Sequence, residues 1–203
     1  MKKLIGFLPI LLISSLFFSA CSVGTNTDNN MNLNDNIQNN NQNFSSDSSP
    51  TATQPLPETD DSIVAINTSY GQIVVKLYPD QAPNTVKNFI NKAKNGFYKG
   101  LTFHRVEPGF VVQGGDPLGN GTGGGQINSE INSIPFVKGS LGLARGGNKQ
   151  ISNDSQFFIC LTTESCQHLT GEYVNFGEVV SGFQYVEDIK VGDKILEITT
   201  QTK

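Results

Sequence analysis

The chain has 203 residues, 36% of them hydrophobic, which allows one medium domain with a single core and little else. Its formal net charge is −4, from 14 Lys+Arg against 18 Asp+Glu. Nucleic-acid binding draws its non-specific strength from clustered bases that neutralise phosphates, so a nucleic-acid partner is not expected. The only arginines are Arg105 and Arg145. In chain order, Lys2-Lys3 form a basic start, Leu4 to Phe18 an apolar run broken by Pro9, and Ser19-Ala20 a small-residue end. That order predicts a removed leader over residues 1–20. A spanning helix needs roughly 20 apolar residues, more than this run offers, so a permanent transmembrane anchor is the weaker reading.

Ordinary leader cleavage wants small residues at the last and third-last positions, and Phe18 fills the latter. The string "FSAC" instead resembles the lipobox of bacterial lipoproteins, with Phe18 in place of the usual Leu. The resemblance implies lipidation of Cys21, anchoring to a bacterial membrane on its extracytoplasmic side, and residence in the cell envelope. Several acyl chains on one residue hold a protein stably where one is marginal. The alternative is an unmodified secreted cysteine. Residues 21–61 are then read as a disordered tether: ten of the eighteen residues from Asn26 to Asn43 are Asn, and "SSDSSPTATQPLPETDD" follows. A flexible tether of about 40 residues has a root-mean-square span of roughly 35 Å. Residues 22–61 carry six acids and no base, whereas residues 62–203 balance twelve Lys+Arg with twelve Asp+Glu.

Residues 62–203 alternate short β-like runs with glycine turns: "SIVAINTSYGQIVVKLY", "LTFHRV", "FVVQGGD", "GSLGLARGG", "SQFFICL" and "VNFGEVV". The first reads as a hairpin, Ile63 and Ala65 alternating before Ser69-Tyr70-Gly71 and Ile73, Val75 and Leu77 after it. "APNTVKNFINKAKNG" has Pro83 at a first helical turn, apolar residues at Val86, Phe89, Ile90 and Ala93, and a stop at Gly96, which predicts a helix. "GFQYVEDIK" repeats the pattern more briefly. A mostly-β domain with two helices fits a closed or nearly closed barrel, which leaves no exposed sheet edge.

The strings "FHRVEPGFVVQGGD", "GNGTGG", "GSLGLA", "SQFFI" and "VNFGEVV" stand in the order and spacing of the cyclophilins, and the chain resembles that family from Ile63 to Ile198. The resemblance implies a closed eight-stranded antiparallel β-barrel capped by two helices, and peptidyl-prolyl cis/trans isomerase activity on X-Pro segments, with no cofactor. It places Arg105, Gln113 and Phe110 as catalytic residues. Val111, Ala144, Gln156, Phe158 and Leu169 would line the groove and hold the substrate, with His168, Tyr173 and His104 at its edge. Independently of family, Val111 and Gln113 share a parity along their strand and so face one side. A monomer acting on exported proteins is expected; the alternative is a proline-peptide binding module with little turnover.

The chemistry explains an arginine at position 105. The peptide C–N bond resists rotation by about 18–20 kcal/mol through amide resonance. In the twisted transition state the prolyl nitrogen gains a lone pair, so a fixed donor aimed at it binds that state better than either ground state. A guanidinium stays charged and presents a rigid fork, unlike a flexible ammonium. His104 has no nucleophile beside it and reads as a structural or groove-edge residue. "GNGTGG" satisfies G-x-G-x-x-G without the parallel strand and following helix that dinucleotide binding needs, and reads as a surface loop. Cys160 and Cys166 could be joined in an exported protein, but the family often carries an unpaired cysteine near Cys160, which favours separate buried residues. With His168 they lack a fourth metal ligand, so no metal is expected. His168 stands where many family members have Trp, and Tyr173 where they have His; the resemblance implies weak binding of the inhibitor cyclosporin.

Overall fold

In the computed structural model, which describes residues 62–201, helix α1 runs over Pro83–Lys94 and buries Val86, Phe89, Ile90 and Ala93 along one face. The leader over residues 1–20, the tether over residues 21–61 and Cys21 lie outside the described residues. Ala82, before α1, has no side-chain oxygen to cap it. Glu130 caps it from a distant loop: its Oε1 accepts from the Asn84 N–H at 3.0 Å and its Oε2 from the Thr85 N–H at 2.8 Å. These donors have no partner inside the helix, and a carboxylate at that end also suits the helix dipole.

Among the described residues ten strands form: β1 (Ile63–Asn67), β2 (Gln72–Leu77), β3 (Arg105–Glu107), β4 (Val111–Gly114), β5 (Gln126–Asn128), β6 (Ser140–Leu143), β7 (Ile151–Asn153), β8 (Phe157–Cys160), β9 (Asn175–Ser181) and β10 (Glu197–Thr200). Eight of them make one curled antiparallel sheet in the order β10-β1-β2-β9-β6-β8-β4-β3, and β5 pairs with β7 apart from it.

The barrel expected from the sequence is not closed, because its edge strands β3 and β10 do not pair. The segments that lead into them meet instead. Gly100 and Phe103 donate backbone N–H bonds to Ile195 and Asp193, and Ile195 and Gly192 donate back to Leu101 and Phe103, all at 2.8–2.9 Å. Gly100 and Gly192 have positive φ, which breaks any regular ladder here and leaves irregular rungs between the two edges.

Two further expectations change. The β1 residues that share a face with Ile73 and Val75 are Val64 and Ile66, directly opposite them in register, rather than Ile63 and Ala65. A one-residue shift exchanges the faces of a strand, and Ala65 is buried too, so alternation was masked. Besides α1 and the expected second helix (α3, Phe183–Asp188), a single turn α2 forms over Thr163–Cys166 and continues into a 3-10 turn at Gln167–Leu169. Four residues are too few to show a 3.6 period; the signal was the cap, Thr162 Oγ1 accepting from the Ser165 N–H.

The core follows from the pleat. Val112 of β4, Leu141 and Leu143 of β6, and Phe157 and Ile159 of β8 point inward with α1 into the main cluster. At its centre the Phe89 ring meets Tyr98, Phe157 and Phe176 at centroid distances of 5.1, 5.6 and 5.3 Å. The alternate residues Val111, Phe158 and Cys160 face outward into a second, smaller cluster with Phe136, Cys166 and Leu169.

Candidate active site

The outward faces of β4 and β8 build one wall of a cavity of about 210 Å³, to which Val111, Gln113 and Phe158 all contribute. Phe158 lies across from Gly142 of β6, where any Cβ would collide with its ring. Glycine there lets the ring lie flat over β6. Phe136 stacks on Phe158 at 5.7 Å, and Tyr173 meets it edge-on at 5.7 Å. Leu169, brought in by the 3-10 turn, and Phe110, at the turn before β4, complete the apolar lining.

Cys160 and Cys166 are joined by a disulfide, with Cα atoms 6.2 Å apart. This corrects the expectation of separate buried thiols. The bond ties the end of β8 to the end of α2, within the same small cluster as Val111, Phe158 and Leu169. It therefore fixes the turn that delivers Leu169.

Arg105 begins β3 directly across from Gln113. Its Nη1 donates to Gln113 Oε1 at 3.2 Å, its Nε lies 3.5 Å from Glu107, and its guanidinium carbon is 5.8 Å from the Phe110 ring centre. The side chain is 42% exposed, so the charge is held at the cavity mouth and still faces solvent. Gln113 Nε2 donates to Gln156 Oε1 at 3.0 Å, and Gln156 Nε2 donates to the carbonyls of Gly123 and Gly121 at 2.8 and 3.1 Å. The chain has one direction. Backbone carbonyls only accept, so Gln156 must turn its nitrogen to them and its oxygen to Gln113, which then offers oxygen to Arg105. Gln156, 3% exposed, lies behind Gln113 and does not line the cavity.

The loop that supplies those carbonyls is "GNGTGG". It is wound around Asp116, whose buried carboxylate accepts backbone N–H bonds from Leu118, Asn120 and Gly121. Burial alone would raise the Asp116 pKa, but the three N–H donors outweigh it and hold the carboxyl below its ordinary value. Gly119, Gly121 and Gly124 all take positive φ, and β5 rather than a helix follows, so the glycines serve a turn and no dinucleotide fingerprint is present.

Eight residues singled out by sequence border this cavity: Arg105, Phe110, Val111, Gln113, Ala144, Phe158, Leu169 and Tyr173. His168 is not in the lining; it is exposed and stacks on the outer side of Phe110 at 5.8 Å. His104 precedes β3 and is also outside the lining. Its ring nitrogens are buried, and burial pushes its pKa down more than the nearby Asp116 carboxylate raises it. At neutral pH His104 therefore adds no charge beside Arg105.

One lining residue was missed: Arg145, whose guanidinium lies 4.4 Å from the Tyr173 ring centre. The available signal was its rarity, as one of two arginines, next to Ala144. What the arrangement offers is an apolar slot beside a fixed cationic donor. That suits stabilising a lone pair that develops on a ring nitrogen, and needs no covalent step.

A family model described as "Cyclophilin type peptidyl-prolyl cis-trans isomerase/CLD" matches residues 63–202. A peptidyl-prolyl cis-trans isomerase of Synechococcus elongatus is 42% identical over 141 residues, which cover 68% of this chain and 94% of that protein. Isomerase B of Bacillus subtilis is also 42% identical, covering 64% of this chain and 91% of its own. Among solved structures, a cyclophilin-type isomerase of Cryptosporidium parvum, determined in the presence of the dipeptide Ala-Pro, is similar with a TM-score of 0.64 and 33% identity. It covers 70% of this chain and 99% of that one.

Proposed function

Because the chain belongs to the cyclophilin-type family and is a peptidyl-prolyl cis-trans isomerase, we propose that Arg105 carries its catalysis by stabilising the twisted X-Pro amide. The observation that carries this reading is the Arg105 fork, steered by Gln113 over an apolar slot. The prolyl ring enters between Phe110, Val111, Phe158 and Leu169. Gln113 and Ala144 hold the flanking backbone, Gln156 sets the Gln113 amide, and Tyr173 walls the slot. His168 and His104 lie outside the slot and exchange no proton with the substrate.

As the C–N bond turns, the nitrogen pyramidalises and its lone pair becomes an acceptor for Arg105. A charge-assisted bond to that lone pair forms only in the transition state, which is where binding energy raises turnover. The donor is already placed and so costs no reorganisation as the lone pair develops. No bond is made or broken and the substrate leaves as the other isomer.

The protein further acts on exported or surface proteins as a monomer, held to a bacterial membrane through Cys21 on its extracytoplasmic side. The "FSAC" string and the base-free, Asn-rich stretch that follows it support this placement. Changing Cys21 to Ser should release the protein from the membrane fraction after export, and persistent association would argue for a different anchor. Turnover itself is tested by exchange NMR of a short X-Pro peptide. Substoichiometric protein should broaden and merge the cis and trans resonances; resonances that shift on binding without exchanging would leave only a proline-peptide binding module.

A further inference from the structure

Both arginines of the chain border the same cavity, and the mechanism above uses only Arg105. Arg145 is placed with care. Its Nε donates to the Glu172 carbonyl at 3.0 Å, its Nη1 to the Gly146 carbonyl at 2.9 Å, and its plane lies over Tyr173. Its side chain is 13% exposed. A fork fixed by a stack and two backbone acceptors has already lost the rotamer freedom that binding would otherwise cost.

Its third nitrogen is less committed. Nη2 reaches only Glu172 Oε2, at 3.8 Å, while the same carboxylate takes Lys149 Nζ at 2.8 Å through its other oxygen. Glu172 is thus shared between two cations and sits nearer the one outside the cavity. Around the mouth, Arg105, Arg145 and Lys149 are ion-paired among the described residues with Glu107 and Glu172, and both carboxylates are about half exposed, where water weakens their hold. The excess is positive, and the loosely held Nη2 of Arg145 belongs to a residue that lines the cavity.

We infer that Arg145 is a specificity-determining residue: it selects X-Pro segments that carry a carboxylate side chain within one residue of the proline. The inference rests on the isomerase reading, and deepens it by naming the substrate class. The incoming carboxylate accepts from Nη2 and takes over the role Glu172 fills loosely. A lysine at the same place meets the positive excess and is turned over less well. Since the pair is only partly buried, the gain is modest, about 3- to 10-fold in kcat/KM over a neutral peptide.

The test uses full-length protein and three sets of peptides alike except for Ala, Glu or Lys on either side of the proline. Each is measured with wild type, R145Q and R145K in low salt and in about 1 M salt, where Debye screening acts within roughly 3 Å. The expected result is a Glu-to-Ala ratio of about 3–10 for wild type, near one for R145Q and intermediate for R145K, falling toward one in high salt. A wild-type ratio near one, with the Ala peptide turned over normally, would overturn the role of Arg145 and leave the isomerase reading intact. So would a ratio that survives in R145Q. If the Ala peptide is not turned over by wild type at all, the isomerase reading fails and this one with it. Salt dependence and R145K keep the test informative should R145Q fold poorly.

Discussion

Adjacent residues on β4 and β8 belong to different parts of the protein's work. Val112, Phe157 and Ile159 point inward and are at most 1% exposed, sealed by α1 and the rest of the curled sheet. Val111, Gln113 and Phe158, one step along the same strands, point outward and line the cavity. The pleat alone sorts them, since successive side chains leave opposite faces. The inner face forms the main core and the outer face lines the cavity proposed to take the substrate, so a substitution should be read by its parity before its chemistry.

The largest expected effect breaks the inner face. Phe157 touches Phe89, Tyr98 and Phe103, so Phe157→Ala should cost about 3–5 kcal/mol of unfolding free energy in urea titrations. Phe158→Ala should cost clearly less, because its ring already borders open space, while reducing kcat/KM more than tenfold in whatever protein remains folded. Equal stability losses at the two positions would dissolve the distinction between the faces.

The outer face is next sharpened by an inhibitor. His168 stacks on Phe110 but offers less apolar surface than the Trp many family members have there, so cyclosporin should bind weakly and His168→Trp should strengthen it. A larger ring and one added hydrogen bond are worth about 2–3 kcal/mol, or roughly 30- to 150-fold in Kd. Titration of both proteins against peptide turnover checks this; nanomolar inhibition of the unchanged protein would contradict it.

The disulfide supports the outer face only. For a loop this short the chain-entropy account gives about 2 kcal/mol, so reduction should lower stability by that amount. It should also reduce turnover, because Leu169 loses the tie on its turn. Turnover unchanged by reduction would show that the slot does not depend on Cys160–Cys166.

The smallest effect is pH. His104 has a lowered pKa in the fold, so the unfolded chain binds a proton first as pH falls below about 6.5. Stability is therefore full above that value and declines below it. Asp116, also lowered, adds a second loss as pH falls below about 4 toward its depressed value. Melting temperature should be flat from pH 7 to 8 and drop in acid, while kcat/KM stays flat from pH 7 to 8, as expected when no proton moves in the reaction. A bell-shaped profile in that range would point to a proton-transferring group.

Much of this site was legible because strand parity and motif order fix direction. Val111 and Gln113 face one side by spacing alone; Phe158 was placed by its resemblance to the family motif, and its pairing with Gln113 appears only in the structure. What escaped needed distances in three dimensions. The five residues between Cys160 and Cys166 do not tell whether a turn will bring their Cα atoms within bonding range, and α2 was too short to announce itself. Arg145 lies in a glycine-rich loop without a period, so nothing in the sequence said where its long side chain would lie. The open edge between β3 and β10 depends on irregular rungs set by Gly100 and Gly192, which no alternation pattern records. Gln156 was legible as a groove residue, but its work behind Gln113 appears only when the loop carbonyls of Gly121 and Gly123 are in place.

The account turns on Arg105, and one comparison bears on it most directly: kcat/KM of Arg105→Ala on an X-Pro peptide, measured beside its unfolding free energy and peptide affinity. The side chain is partly exposed and outside the main core, so stability should change little. Loss of a charge-assisted bond made only in the twisted state should lower kcat/KM by about 10²- to 10³-fold while affinity falls far less. Turnover equal to wild type in a folded Arg105→Ala protein would contradict the account.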